Sequence, residues 1–411
     1  MHGRPRPPKG VAPDPAQVQA TRKKADLLRE LTLQVLRRNS QAKFDPQSLA
    51  LSEQLVALSP EAYTAWNYRK RWLQGQFADT PSEHVLHRLD DVRKELKVIE
   101  TALKRNPKAY CAWQHRKWVH TLLYPPPLIT LQGGEESATL TPPTPGVVRA
   151  TAKEFLEGDL SLLDQLLQAD PRNFHAWGYR RWLAGRLGLP PHGELHYTAA
   201  AIEQNFSNYS AWHYRSLLLP LAYPAVGEPC RAIGDLEKDH TTSFVDEKEG
   251  ISAPRAGGGG GGGASRKARL VGRSCLEDEL EIVHQAIFTE PEDQSAWIYH
   301  RWVLSACLDH LDHHLVSENV KQDKEKFATE ARRWVCKILT QEVTILSELS
   351  DLEAKSKWPL LNCAWAKGLL VRATEGAEPS AASELHEVYH RLARLDPDRR
   401  GYYTYMTQGG L

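Results

Sequence analysis

The chain has 411 residues, 41% hydrophobic and 25% charged, with a formal net charge of +1. That length can bury a large core, either as more than one domain or as one long repeat array. The balanced charge gives nucleic acid no general attraction, and no apolar run reaches the roughly 18 residues that would span a membrane.

Residues 1–13 are basic and proline-rich and are expected to form an extended, mobile arm without a secretory signal. Asp14-Pro15 predicts a leading helix to about Asn39, with Leu27, Leu28, Leu31, Leu33 and Leu36 on its apolar side. Asp45-Pro46 starts a second helix, whose Leu49, Leu55, Val56 and Leu58 are expected to pack on a helix bearing Trp66. Thr80-Pro81-Ser82-Glu83 reads as a capping box before a long helix through Arg105. Residues 124–150 and 222–275 read as insertions, the second disordered because it holds charged runs and the glycines 257–263. That glycine run lacks the lysine and Ser/Thr of a phosphate-binding loop. Between and after the insertions the helical pattern resumes over 154–187, 276–307 and on to Trp358, and Leu385 to Tyr405 is expected to cap the end.

One unit recurs along the chain. Its clearest copy is NPKAYCAWQHRKW, Asn106 to Trp118, with Tyr110, Trp113 and Arg116 spaced to share a helix face. Other copies carry Tyr63, Trp66 and Arg69; Phe174, Trp177 and Arg180; and Tyr209, Trp212 and Arg215. The fifth has Gln294, Trp297 and His300. Asn106-Pro107, Ser59-Pro60, Asp170-Pro171 and Glu290-Pro291 read as cap-plus-proline helix starts. Trp177 and Trp212 stand 35 residues apart, the length of a two-helix solenoid unit. The fold class is therefore all-α, with about five to six helical hairpins over 14–411.

The candidates for chemistry are few. The six cysteines form no Cys-x-x-Cys pair, which suits a reducing cytosol. Cys307, Asp309, His310, Asp312, His313 and His314 read as a solvated histidine-rich turn rather than a metal site. No nucleophile–base set can be assembled from spacing. The tryptophans and arginines are expected to be structural, with arginine donating to carbonyls of the adjacent turn. Lys108 differs, because a cation in a first helical turn opposes the helix dipole by about 0.3 to 1 kcal/mol. With the free N–H groups there and the Tyr110 hydroxyl, Lys108 can hold a phosphate or diphosphate; the other reading is a solvent-exposed lysine at the edge of the array.

The stretches NPKAYCAW, DPRNFHAWGYRRW, NFSNYSAWHYRS and PEDQSAWIYHRW resemble the repeats of protein prenyltransferase alpha subunits. The opening MHGR, the fourth and fifth copies and Lys357-Trp358 resemble the branch of that family that geranylgeranylates Rab GTPases. The resemblance implies a right-handed alpha-alpha superhelix, a crescent, wrapped around a separate beta subunit that holds zinc and the lipid pocket. It implies transfer of geranylgeranyl from geranylgeranyl diphosphate to C-terminal Rab cysteines, with the Rab presented by Rab escort protein. The chain alone is then inactive and the heterodimer cytoplasmic. In this reading Lys108 and Tyr110 are catalytic and bind the diphosphate with Asn173, while Arg116 and Trp177 support the site. His2 is a candidate autoinhibitory ligand to the beta-subunit zinc.

Larger animal members of the family carry an immunoglobulin-like insert and a leucine-rich repeat domain, and neither is expected between Leu304 and Trp334 or before Leu411. Two alternatives remain open: the alpha subunit shared by farnesyltransferase and geranylgeranyltransferase type I, and a non-catalytic helical-repeat scaffold.

Overall fold

Where an aspartate precedes a proline after a loop, the local chemistry starts a helix. In the computed structural model, Asp14 accepts from the Ala16 amide and opens α1 (Pro15–Ser40), and Asp45 accepts from the Ser48 amide and opens α2 (Pro46–Leu58). The structure describes residues 14–79, 85–123, 146–225, 233, 270–316, 324–374 and 379–407. The N-terminal arm with His2, the Thr80-Pro81-Ser82-Glu83 stretch and the glycine run lie outside these residues.

The helices follow as α3 (Tyr63–Asp79), α4 (Val85–Arg105), α5 (Tyr110–Leu123), α6 (Gly146–Ala169), α7 (Phe174–Leu187), α8 (Pro191–Gln204), α9 (Tyr209–Ala222), α10 (Arg273–Thr289), α11 (Gln294–Val316), α12 (Lys324–Leu352), α13 (Lys357–Ala373), α14 (Pro379–Leu395) and α15 (Arg400–Thr407). The chain divides into two compact units, Met1–Leu183 and Ala184–Leu411. In the first, α2 packs on α3 and α4 on α5, and α5 also meets α3 and α6. In the second, α8 packs on α9, α10 on α11 and α12 on α13, with α11 also against α9. The last hairpin is covered by α14 and α15 through a core of Leu361, Leu385, Leu392, Tyr403 and Met406. An end of this kind hides the apolar face that a terminal repeat would expose.

Several sequence boundaries need correction. The helices that carry the repeat tryptophans begin three residues after the proline, not at it. The Asn-Pro, Ser-Pro, Asp-Pro and Glu-Pro pairs lie in the turns between hairpin helices. Asn106 closes α4 by donating its amide to the Ala102 carbonyl, and its side chain accepts from the Lys108 amide. The proline serves the tryptophan instead: in all five copies the indole Nε1 donates, at 2.8 Å, to the carbonyl six residues earlier. That acceptor is proline in four copies and Phe206 in the fourth. The helix caps proper are Asn173, Asn208 and Asp293, each accepting from a backbone amide two or three residues on.

Helix α6 starts at Gly146, inside the stretch read as insertion. After α9, Pro224 bridges antiparallel to Val271, with the Ala225 amide on the Leu270 carbonyl and the Gly272 amide on that of Tyr223. Buried Leu270 and Val271 thus belong to the folded body, not to a disordered insertion. On α1 only Leu31 and Val35, one turn apart, are buried; Leu27, Leu33 and Leu36 are exposed.

Candidate functional site

Behind the turns runs a ladder of buried ion pairs. In the first copy Arg69, on α3, holds Glu95 on α4 with Nε and Nη2, the latter 2.6 Å away, and donates to the Leu49 carbonyl and the Ser52 hydroxyl. Arg116 on α5 forks both oxygens of Asp159 on α6 and donates to the Leu96 carbonyl at 3.0 Å. Arg215 on α9 does the same with Glu279 on α10 and the Leu195 carbonyl. In the fifth copy His300 takes the arginine's place, with Nε2 2.8 Å from Glu342 on α12. The carbonyls that these arginines meet lie twenty residues back, on the first helix of their own hairpin, not in the adjacent turn expected from sequence, and the stronger partner is a carboxylate on the first helix of the next hairpin. Such forked, charge-assisted bonds fix geometry as well as adding energy.

Three of these carboxylates, Glu95, Asp159 and Glu342, are held ionised against the pull of burial. Burial alone would raise the Glu95 carboxyl, but Arg69 and His115 outweigh it and hold the group at about 2. Glu342 is likewise raised by burial and pulled down, to about 2, by His284 and His300. Asp159 is held still lower by Arg116 and His120, with the Tyr179 hydroxyl also donating to it. The tryptophans complete the joint between repeats. Trp66 lies 4.9 Å from the His115 ring, Trp113 4.9 Å from Tyr179 and Trp212 4.6 Å from Tyr299, each partner standing two residues beyond the next copy's tryptophan.

On this base sits the Lys108 turn. Asn173 is almost fully buried; its side-chain nitrogen donates to the Pro107 carbonyl at 2.9 Å while its oxygen caps α7. It therefore braces the Lys108 turn from below rather than facing solvent. Lys108 Nζ lies 3.1 Å from Asp170 Oδ2, with both side chains partly exposed. An ammonium carries three donors, so two remain for a ligand. Tyr110 is 56% exposed, which takes it out of the packed stripe with Trp113 and Arg116 and leaves its hydroxyl accessible. Its ring is 6.0 Å from that of His175. Burial lowers the His175 pKa, and Lys108 lowers it further against an opposing pull from Glu61, so the imidazole is neutral near pH 7.

Of the residues singled out from sequence, Lys108 and Tyr110 are exposed at one turn with Asn173 bracing it from beneath, whereas Arg116 locks α5 to α6 and Trp177 fastens α7 to its own turn. Asp170, read from sequence only as a helix start, and His175, which sequence did not single out, complete the cluster, and both lie within the DPRNFHAW stretch. The histidine-rich stretch is helical, within α11, rather than the solvated turn expected from sequence: Cys307 and His310 are buried, His310 facing the Val271 carbonyl at 2.7 Å, while the His313 and His314 side chains lie outside the described residues. The amides of Lys108 and Ala109 are taken by Asn106 and that of the Asn173 side chain by Pro107, so the free N–H groups expected from sequence are not available; the ammonium and the phenol remain, a donor set for an oxyanion and not for a metal.

Fold and site together define a helical-hairpin repeat protein that presents a braced lysine at one inter-helix turn. A family model described as protein prenyltransferase alpha subunit repeat matches residues 45–76, 92–123, 156–187, 191–221 and 276–307, five hairpins in order. The chain belongs to the protein prenyltransferase alpha-subunit repeat family. It is 32% identical over 314 residues to the mouse protein named geranylgeranyl transferase type-2 subunit alpha, covering 75% of this chain and 43% of that one. The human protein of that name is 33% identical over 308 residues, 74% of this chain and 42% of its own length. A Candida albicans protein of the same name is 23% identical over 390 residues, 91% of this chain and 89% of its own. The chain thus spans less than half the length of the mouse and human relatives. Among the described residues no helix is long and apolar enough to cross a membrane.

Proposed function

We propose that this chain is the alpha subunit of a Rab geranylgeranyltransferase, a protein geranylgeranyltransferase of type II, working in the cytoplasm as a heterodimer with a beta subunit and inactive alone. The observation that carries the reading is the Lys108 turn: a partly exposed ammonium with two spare donors beside an accessible tyrosine, braced by a buried asparagine. The matched hairpins and the names of the relatives support the same assignment.

Transfer of geranylgeranyl breaks the bond between the lipid carbon and its diphosphate, and negative charge accumulates on the departing oxygens. Lys108 and the Tyr110 hydroxyl meet that charge, and the effect is greatest where the donors are fixed before the bond breaks. Asn173 supplies that fixation through Pro107. Asp170 shares Lys108 with the diphosphate and holds the ammonium in place between turnovers. The zinc of the beta subunit supplies the thiolate form of the accepting Rab cysteine, and Rab escort protein presents the Rab. His2 belongs to the same reading as an imidazole that would hold an open position on that zinc and keep the enzyme inhibited until substrate takes its place. Cobalt substituted for that zinc should change its visible spectrum on His2→Ala; an unchanged spectrum removes His2 from the account.

The test of the main reading is single-turnover transfer to a Rab by this chain co-expressed with its beta subunit, with and without escort protein. The expected result is escort-dependent transfer that falls by about 10² to 10³ in Lys108→Ala, as for loss of one fixed charge stabiliser. Escort-dependent transfer indifferent to Lys108 moves the leaving-group role to the beta subunit, and no transfer with any beta subunit overturns the assignment.

A further inference from the structure

Among the departures of the fifth hairpin from its fellows, two face each other. One is the arginine position, where His300 stands. The other lies sixteen residues earlier on the first helix of the hairpin, where successive copies carry Glu53, Glu100, Asp164, Ala199 and His284. That these positions meet is seen in the third copy, where Arg180 Nη1 lies 3.3 Å from Asp164 Oδ1. In the fifth copy both are histidine, and both turn Nε2 toward one carboxylate oxygen. His284 Nε2 is 3.0 Å and His300 Nε2 2.8 Å from Glu342 Oε2. The three ligand atoms come from α10, α11 and α12 and lie within 4.8 Å of one another.

We propose that His284, His300 and Glu342 form a binding site for a divalent transition-metal ion of the zinc class, one that joins α10, α11 and α12 of the second unit. Two imidazoles and a carboxylate are a donor set that zinc and its neighbours accept with an open fourth position. Bonds of about 2.0 to 2.1 Å in a tetrahedral site place ligand atoms about 3.3 Å apart. The two measured separations fall short of that by only a few tenths of an ångström, so side-chain adjustment alone admits the ion. The fourth position has an outlet: His284 and Glu342 line a cleft of about 540 Å³ that Glu281, Lys337 and Gln341 also border, so a water can complete the coordination.

What the other imidazole nitrogens touch sets the strength. His300 Nδ1 is buried without a hydrogen-bond partner, whereas a ligating histidine usually donates from its other nitrogen, and loss of that partner costs about 10- to 100-fold in affinity. The site is therefore weaker than closed four-ligand zinc sites and exchanges its ion.

The test uses the whole untagged chain without a beta subunit, which keeps the beta-subunit zinc and the activity assay out of the result. Cobalt(II) is titrated and its visible bands recorded, followed by displacement with zinc. One equivalent should bind with the intense bands of a four-coordinate site. His284→Ala, and His300→Arg, which restores the arginine–carboxylate pair of the other copies and so preserves the fold, should each weaken binding at least tenfold. His386→Ala, an exposed histidine on α14, should leave it unchanged. Zinc should raise the melting temperature of the wild type and of His386→Ala only. Absence of stoichiometric binding, or equal binding by wild type and His300→Arg, overturns the proposal.

Discussion

Replacing Arg116 by methionine tests the ion-pair ladder at a fully enclosed rung. The side chains of Arg116 and Asp159 are 5% and 3% exposed. The substitution keeps most of the apolar volume but removes the two bonds to Asp159 and the one to the Leu96 carbonyl. Removal of one partner from a buried pair typically costs about 3 to 5 kcal/mol, because the other charge stays behind. His120 and Tyr179 still meet the Asp159 carboxylate, which places the expected loss near 3 kcal/mol. Asp159→Asn added to Arg116→Met should recover about 1 to 2 kcal/mol, since a neutral amide among the same donors is cheaper to bury than an unpaired anion. The assay is urea unfolding followed by tryptophan fluorescence on wild type, both single variants and the double variant. A loss under about 1 kcal/mol for Arg116→Met, or a double variant less stable than Arg116→Met, would refute the view that the carboxylate depends on this arginine.

Acid should weaken both units. Glu95 in the first and Glu342 in the second have folded pKa values near 2 against an ordinary 4.5. Their contribution is complete above about pH 4.5 and is lost as the pH falls toward 2. His115, whose pKa burial depresses despite the pull of Glu95, adds a loss that begins as the pH drops below about 6.5. Scanning calorimetry from pH 7 to 3 should show a melting temperature that falls throughout and most steeply below 4.5; a flat profile contradicts the assignment. Asn173→Ala should reduce transfer by about tenfold while lowering stability by about 1 to 2 kcal/mol through the lost cap and the lost bond to Pro107. Transfer kinetics beside urea unfolding separate the two effects, and unchanged transfer would mean that Lys108 needs no brace.

What could be read from the residues was local. The Trp-x-x-Arg spacing and the recurring prolines announce helical hairpins, and the starts at Asp14 and Asp45 were legible because side chain and target amide lie within three residues. The same reasoning misplaced the start of α5, because Asn106 and Pro107 also suit a turn, and only the indole bond from Trp113 decides which they form. Tyr110 was grouped with Trp113 by spacing alone, and spacing does not say which turn of a helix has a neighbour. Lys108 stood out as a cation read into a first helical turn, although it lies in the turn before α5, whereas Asp170 and His175 acquire meaning only when α7 lies beside α5. The acids of the ladder were out of reach for the same reason, standing 26 to 64 residues from their arginines.

Those intervals change how the chain tolerates growth. Each long-range pair fastens the end of one hairpin to the beginning of the next, so whatever length lies between them is a loop with both ends clamped. Lengthening such a loop from 26 to 64 residues, the difference between the Arg69–Glu95 and Arg215–Glu279 pairs, costs only about 0.8 kcal/mol of closure entropy, well below the worth of a buried fork. Segments of 43 and 64 residues already separate the members of two rungs without parting them. The junctions after α5 and α9 are accordingly the places where this chain can acquire and exchange extra sequence, a permissiveness that the interior of a hairpin, where the same addition would unseat a tryptophan and orphan a charge, does not share.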